Sequence, residues 1–243
     1  MRQGERSGFA ITPSGHELWQ SRAYIPRHRH EGAYAALVLA GSYEESGSRG
    51  RFRVQAGDVL LHDAFDAHLD RFQSAGARVF SLAVEALGAW PLGIGIAQVR
   101  DSDAIVRTAE RDAIEAAALL STELRCKQRV HYDWPDMLVD DLLSDPGCRL
   151  DEWARDRSLA PSSVSRGFRK VFGVSPATFR LDTRASRALR MIRGSTLSFA
   201  AVAAAAGFAD QAHMCRAIRE LTGGTPGSWR RSSSFKTERA VCV

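Results

Sequence analysis

The chain has 243 residues, 44% hydrophobic and 25% charged, a globular balance that excludes a wholly disordered polymer. Its net charge of +5 is unevenly spread: residues 1–149 carry 17 Lys and Arg against 21 Asp and Glu, while residues 150–232 carry 14 against 6. The most apolar stretch, Phe199 to Gly207, is too short to span a bilayer, the first residues lack the apolar core of a secretion signal, and four scattered cysteines (Cys126, Cys148, Cys215, Cys242) form no CxxC pair, so a cytoplasmic chain without a disulfide framework or zinc cluster is expected.

From His16 to about Glu85 the pattern is β. Runs rich in Val, Leu, Phe and Tyr (Ala33–Ala40, Arg51–Gln55, Val59–Leu61) alternate with turn clusters at Gly41-Ser42, Ser46–Gly50 and Ala56–Asp58. Short strands at such close spacing predict a small sandwich or barrel rather than a parallel sheet with helical crossovers. Pro91, Gly93 and Gly95 then break the pattern, and apolar residues recur at helical spacing from Ile105 to Leu124, behind a cap at Asp101 or Ser102. A second short helix is predicted over 136–143, ending at Ser144-Asp145-Pro146-Gly147. Together they read as a helical hairpin whose apolar stripe serves either ordinary core packing or a dimer contact.

Beyond Leu150 every segment reads as short helix, and the breaks repeat. Gly173-Val174-Ser175-Pro176 is echoed by Gly223-Gly224-Thr225-Pro226, about 50 residues on. Before the first break, a short helix with Trp153 and Leu159 on its apolar side turns at Ser158–Ala160 into a second helix opened by Pro161. That helix turns Val164, Phe168 and Val171 inward, leaving Ser162, Ser163, Ser165, Arg166, Arg169 and Lys170 outward. Before the second break, an alanine-rich helix turns at Gly207 into one capped by Asp210. Met214, Ala217, Ile218 and Leu221 face in, and Gln211, His213, Arg216 and Arg219 are left outside. Two short helices with a polar, basic second member make a helix-turn-helix pattern. The segment 176–193 between the two units predicts a helix about 27 Å long, close to the ~34 Å repeat of the DNA major groove.

With both units in order, residues Leu150 to Arg230 resemble the AraC/XylS (arabinose-regulator type) bacterial transcription factors. The most specific stretch is Val202-Ala203-x-x-x-Gly207-Phe208-x-Asp210-Gln211-x-His213-x-x-Arg216, followed by Pro226-x-x-Trp229; Val164-Ser165-Arg166-x-Phe168-Arg169-Lys170 through Pro176 agrees. The resemblance implies a regulator that binds promoter DNA and works with RNA polymerase, as activator or repressor, under a small-molecule effector, with a homodimer among its arrangements. By matched position, Ser162, Ser165 and Arg166 of the first unit and Gln211, Ala212, His213, Cys215 and Arg216 of the second would face bases. Arg can hold guanine and Gln adenine with two hydrogen bonds each, which puts most of the discrimination on Arg166, Gln211 and Arg216. Ala160 departs from the usual Ser or Thr cap, which weakens that helix start by roughly 1 kcal/mol.

Upstream, Pro26-Arg27-His28-Arg29-His30-Glu31, Gly57–His62 and Phe65–His68 resemble the two motifs of a cupin barrel. The likeness implies metal ligands at His28, His30 and His68, while Tyr34 and Ala35 stand where the cupin carboxylate would be. Three imidazoles can hold Zn²⁺, Ni²⁺ or Fe²⁺; equally, His28 and His30 read as part of a basic loop at the barrel mouth, and His62 as an ordinary inward or edge position. No cofactor is required by this reading. Tyr34, Leu37 and Phe52 are candidate lining for an effector pocket. The expected fold is therefore α+β: a cupin-like β-barrel sensor or dimerisation domain over 1–95, a helical linker over 96–147, an all-α double helix-turn-helix domain over 148–231 and a disordered tail over 232–243. A metal-dependent cupin enzyme such as a dioxygenase, with a helical appendage, is the competing class; otherwise no enzymatic activity is expected.

Overall fold

The computed structural model describes residues 12–84, 95–128, 130–145 and 147–239. It is an α+β chain that divides into two compact units, one running to Val139 and the other taking nearly all residues from Asp140 onward. Pro91 and Gly93, read above as a break, lie outside the described residues.

The first unit is built on an antiparallel sheet of eight strands: β1 (Gly15–Trp19), β2 (Tyr24–Arg29), β3 (Tyr34–Gly47), β4 (Gly50–Gln55), β5 (Asp58–His62), β6 (Ala67–Ala83), β7 (Ile96–Gln98) and β8 (Arg125–Cys126). They follow the order β1-β6-β3-β5-β7-β8, with β2 also on β6 and β4 also on β3. The long strands β3 and β6 pair along nearly their whole length and form its spine. The turn expected at Gly41 is instead a bulge inside β3, with register shifts on either side of it. Gly41 sits at φ +75°, and a Cβ there would stand 2.1 Å from the Gly76 carbonyl oxygen; glycine lets the strand carry on where a larger residue would end it.

Both faces of this sheet are buried. Ala35, Leu37, Val59, Leu61, Phe80 and Leu82 pack against Ile105, Val106, Ala116, Ala117 and Leu120. Those helical residues lie on α1 (Ser102–Ala109) and α2 (Ala113–Glu123), where one continuous helix was expected. The break is a second cap: Asp112, in extended backbone, accepts hydrogen bonds from the amides of Ile114 and Glu115 at 2.8 and 3.1 Å. Residues 96–124 thus close the first unit's core and are no free-standing linker. The next helix, α3 (Trp134–Ser144), begins two residues earlier than expected. It brings in Asp136, fully buried and bound to Arg51 Nε at 3.2 Å and Nη2 at 2.8 Å, with the Tyr132 amide donating at 2.8 Å.

The second unit continues with α4 (Leu150–Asp156), α5 (Pro161–Phe172), α6 (Pro176–Gly194), α7 (Phe199–Ala205), α8 (Gln211–Thr222) and α9 (Pro226–Arg239). Its core holds Trp153, Val164, Phe168, Phe179, Leu189, Ile192, Val202, Met214, Ile218 and Leu221. Residues 232–239, expected as disordered tail, continue α9; once the first turns are fixed, each further residue adds a hydrogen bond without a new nucleation cost. Residues 240–243 lie outside the described ones.

Candidate functional site

Two places carry chemistry, one in each unit. In the second unit α4 and α5, then α7 and α8, form two short-then-longer helix pairs. Ser158 (φ +55°) and Gly207 (φ +82°) occupy the left-handed turn position in each. The following amides, of Leu159 and Phe208, donate five residues back to the carbonyls of Ala154 and Ala203 at 2.8 and 2.9 Å. From there the two copies run 50 residues apart: Val164 and Met214, Phe168 and Ile218, Val171 and Leu221, then Pro176 and Pro226. Ser175 and Thr225 cap the helices that follow, accepting from Thr178 N at 3.2 Å and Ser228 N at 3.2 Å.

That register puts Arg166 opposite Arg216 and Arg169 opposite Arg219. All four are exposed, and none is engaged in an ion pair among the described residues. Ser162, Ser163, Ser165, Gln211 and Ala212 are exposed as well. His213 and Cys215 are only half-exposed, and the His213 ring meets the Phe208 ring edge-on at 5.2 Å, so His213 is partly committed to packing. Asp210 caps α8 by accepting from the His213 amide at 2.7 Å, while Ala160 has no side chain with which to cap α5. On α6, Arg187, Arg190 and Arg193 are exposed, whereas Arg180 and Arg184 are half-buried and Arg180 donates to the Cys148 carbonyl.

In the first unit the sheet encloses a cavity of about 930 Å³. Strand periodicity assembles its polar end. His28 and His30, two residues apart, share a face; His28 pairs across with His68, and His68 with Gly47 of β3. One row along, Asp70 faces Glu45, and on the other side of β3 Tyr34 faces His62. The ring of His28 lies 4.8 Å from that of His30 and 4.3 Å from that of His68. One donor atom from each of His28, His30 and His68 falls within 4.8 Å of the others, and the same holds for Glu45, His62 and His68.

Sequence reasoning named the first triad but missed Glu45 and took His62 for an ordinary position. Of the expected pocket lining, Tyr34 faces the cavity. Leu37 does not: three residues along a strand is an odd step, and its side chain joins the opposite, helix-covered core. Phe52 is not on the wall of this cavity but packs with Tyr43 and Val54 and lines a smaller pocket with Glu45, His62 and His68. Trp19, Tyr43 and Phe72 supply apolar wall instead, with Trp19 and Tyr43 each stacked on Phe72 at 5.2 and 4.9 Å.

Burial dominates the electrostatics here. It holds the His62 and His68 imidazoles well below the ordinary histidine range, with neighbouring histidines adding to the effect. It pushes the Glu45 carboxyl well up, with Asp70 and Asp66 reinforcing it, and Asp70 up to about 8. The Tyr34 phenol, raised by burial and by Glu45, stays an O–H group, 3.3 Å from His68 Nε2.

A family model described as a helix-turn-helix domain matches residues 153–232. The chain is 30% identical over 98 residues to the arabinose operon regulatory protein of Escherichia coli (strain K12), a match covering 40% of this chain and 34% of that protein. It is 35% identical over 80 residues to the HTH-type transcriptional regulator GlxA of Rhizobium meliloti (strain 1021), covering 33% of this chain and 25% of that one. The chain therefore spans only about a third or less of the length of these curated relatives. Among solved structures, the DNA-binding domain of AdpA in complex with a target DNA is similar at 21% identity and TM-score 0.40, covering 45% of this chain and 98% of that one. ToxT from Vibrio cholerae O395 is similar at 9% identity and TM-score 0.42, covering 90% and 100%. Among the described residues, no helix is long and apolar enough to cross a membrane.

Proposed function

From the premise that residues 153–232 are a helix-turn-helix domain homologous to that of the arabinose operon regulators, we propose that this chain is a sequence-specific DNA-binding transcription regulator and not an enzyme. It works in the cytoplasm with two helix-turn-helix units, α4–α5 and α7–α8, and a cupin-like barrel as sensor. The observation that carries this reading is the pair of exposed arginines repeated at a 50-residue interval, Arg166 and Arg169 on α5 and Arg216 and Arg219 on α8. Guanidinium groups without acidic partners on short helices of equal design fit a ligand with regularly spaced phosphates and guanines. Ser162, Ser165 and Gln211 at the helix starts add hydrogen bonds to bases or phosphates. Between the units, the 19 residues of α6 make a rod about 28 Å long, which suits consecutive turns of the groove.

The 930 Å³ cavity is the effector site of this reading, a volume in the range of small-molecule pockets. An effector acts only if it binds one arrangement of the protein better than another. RNA polymerase contact, a second copy of the chain at the promoter and a divalent ion in the histidine-lined cavity, for which the sequence named His28, His30 and His68, belong to the same proposal; which side chains hold the ion is argued below. The convergence of four histidines on this cavity also favours a second reading, a metal-dependent cupin enzyme.

Footprinting of the full chain on DNA upstream of its own gene, with gel shifts of wild type and Arg216→Ala, tests the first reading. A protected site spanning two groove segments, weakened in the variant, is expected. Equal weak binding of both proteins to every fragment sinks the proposal and leaves the enzyme reading.

A further inference from the structure

The inner end of the cavity holds polar atoms that the protein itself leaves unsatisfied. Glu45, His62 and His68 are each 4% exposed. His62 Nε2 and His68 Nδ1 have no hydrogen-bond partner. Among the described residues Glu45 has no Lys or Arg at ion-pair distance; the group it meets is His62 Nε2 at 3.5 Å. A carboxylate at that depth calls for a proton or a cation beside it, and an unpartnered buried imidazole nitrogen costs free energy unless something binds it. A divalent ion answers all three needs at once.

The surroundings suit one. Gly47 lies in register with His68, and a Cβ there would sit 3.2 Å from His68 Cβ and 3.4 Å from Glu45 Oε1, so the absent side chain keeps the space beside both groups open. Tyr34 stacks on His62 with ring centroids 4.3 Å apart and an interplanar angle of 12°, and its hydroxyl holds His68 Nε2. It thereby orients both imidazoles from the position where the cupin motif has its carboxylate. We propose that Glu45, His62 and His68 are the ligands of a divalent late-transition ion, of the Zn²⁺, Ni²⁺ or Co²⁺ type, and that this ion is an effector of the regulator. Two imidazoles and one carboxylate form a donor set these ions accept while keeping open positions. The competing triad shares His68, but His28 is only half-buried and offers no buried, unpartnered nitrogen of the kind His62 and His68 present. The effector role rests on the regulator reading above; the ion site does not.

The test uses the full chain stripped with a chelator, titrated with Co²⁺ by its visible d–d absorption and with Zn²⁺ by calorimetry. One equivalent should bind, and Glu45→Gln and His62→Ala should each weaken binding on the order of 100-fold, with the Co²⁺ spectrum altered in any residual complex. Glu44→Gln, a neighbour on the opposite side of β3, is the control for general disturbance, and circular dichroism checks folding of each variant. No binding by wild type overturns the site. So does loss of binding in His28→Ala with Glu45→Gln unaffected, because it places the ion on the other triad; loss in both retains Glu45 as a ligand. Gel shifts with and without Zn²⁺ form a separate arm: Glu45-dependent binding of the ion with unchanged DNA affinity removes the effector role alone, and absence of any DNA binding removes the regulator reading while leaving the ion site intact.

Discussion

The two helix pairs of the second unit are one design executed twice with different local chemistry. Both turn on a left-handed residue, both carry an apolar triplet at equal spacing (fully buried in the second copy, with Val171 half-buried in the first), and both end in a capped Pro helix. Three of their differences bear on how the second helix is held. The turn residue is Ser158 in the first and Gly207 in the second; the cap of the reading helix is Ala160 in the first and Asp210 in the second; and where the first buries Phe172, the second buries Thr222. In each case the change alters how well the second helix of the pair is held, while the exposed arginines recur at matched positions. Matched arginines on unequally held helices should not contribute equally to the proposed DNA contact, because a helix start that must be ordered on binding subtracts that cost from its contacts.

The largest expected effect follows directly. Arg216→Ala, on the capped helix, should lower operator affinity by about 3 kcal/mol, and Arg166→Ala, on the uncapped one, by nearer 1 kcal/mol. Gel-shift titrations at fixed salt measure both. Equal losses would break the link between capping and affinity. A larger loss at Arg166 would reverse the ranking of the two units.

Next in size is Thr222. Its hydroxyl donates to the Ile218 carbonyl at 2.8 Å, and it accepts from Trp229 Nε1 at 2.8 Å and the Gly224 amide at 3.1 Å. Thr222→Val keeps the shape and strands both donors, at a cost of about 2 kcal/mol. The counterpart position holds the fully buried, apolar Phe172, and in the same pair the Phe168 ring meets the Phe179 ring edge-on at 5.4 Å. Chemical denaturation of the two variants Thr222→Val and Phe172→Leu should show polar loss in the second pair and a cavity term in the first.

The caps come third, and they are paired. Asp210→Ala removes the bond to the His213 amide and should cost about 1 kcal/mol, while Ala160→Asp should add a similar amount to the first pair. Ala160→Asp should also raise operator affinity a fewfold in the gel shift, because a pre-ordered helix start no longer costs ordering on binding. A stabler protein with unchanged affinity would separate the two effects.

This repeat was legible in the sequence because its determinants are local. A proline after a Ser or Thr cap, a glycine in a turn and an Asp ahead of an amphipathic helix act within a few residues of themselves. The first unit resisted the same reading for a physical reason. Its sheet is covered on both faces, so Tyr34 to Val38 are all buried and the alternation that would have separated Leu37 from Tyr34 is erased. Gly41 has the residue type of a turn, and only the close approach of Gly76 across the sheet makes it a bulge. His28 and His30 are two apart in extended chain, at the end of β2 and just beyond it, which a reader of the sequence can see. Glu45 cannot be found that way, since its place beside His62 and His68 is set by the register of β3 against β6, a property of two segments far apart in the chain. Asp112 carries a local signal of the same kind: an Asp two residues before a second run of apolar spacing is a cap inside an apparent helix.

The smallest effect is also the cleanest comparison, at the turn itself. Ser158 adopts φ +55° where Gly207 has +82°. A left-handed conformation costs a residue with a Cβ roughly 1–2 kcal/mol. Replacing serine with glycine removes that strain but frees the unfolded chain, which returns roughly 0.5–1 kcal/mol. The net for Ser158→Gly is a gain of about 0.5 kcal/mol, and the mirror change Gly207→Ser should lose about as much, with no contact to DNA involved in either. Native-state hydrogen exchange isolates the effect because it reads the turn and not the whole chain: the Leu159 amide, bonded to Ala154 O at 2.8 Å, should exchange more slowly in Ser158→Gly, and the Phe208 amide faster in Gly207→Ser. Faster exchange at Leu159 would mean that the serine side chain contributes more to the turn than its backbone strain takes away, and the two turns would then be different solutions rather than a strained and a relaxed copy of one.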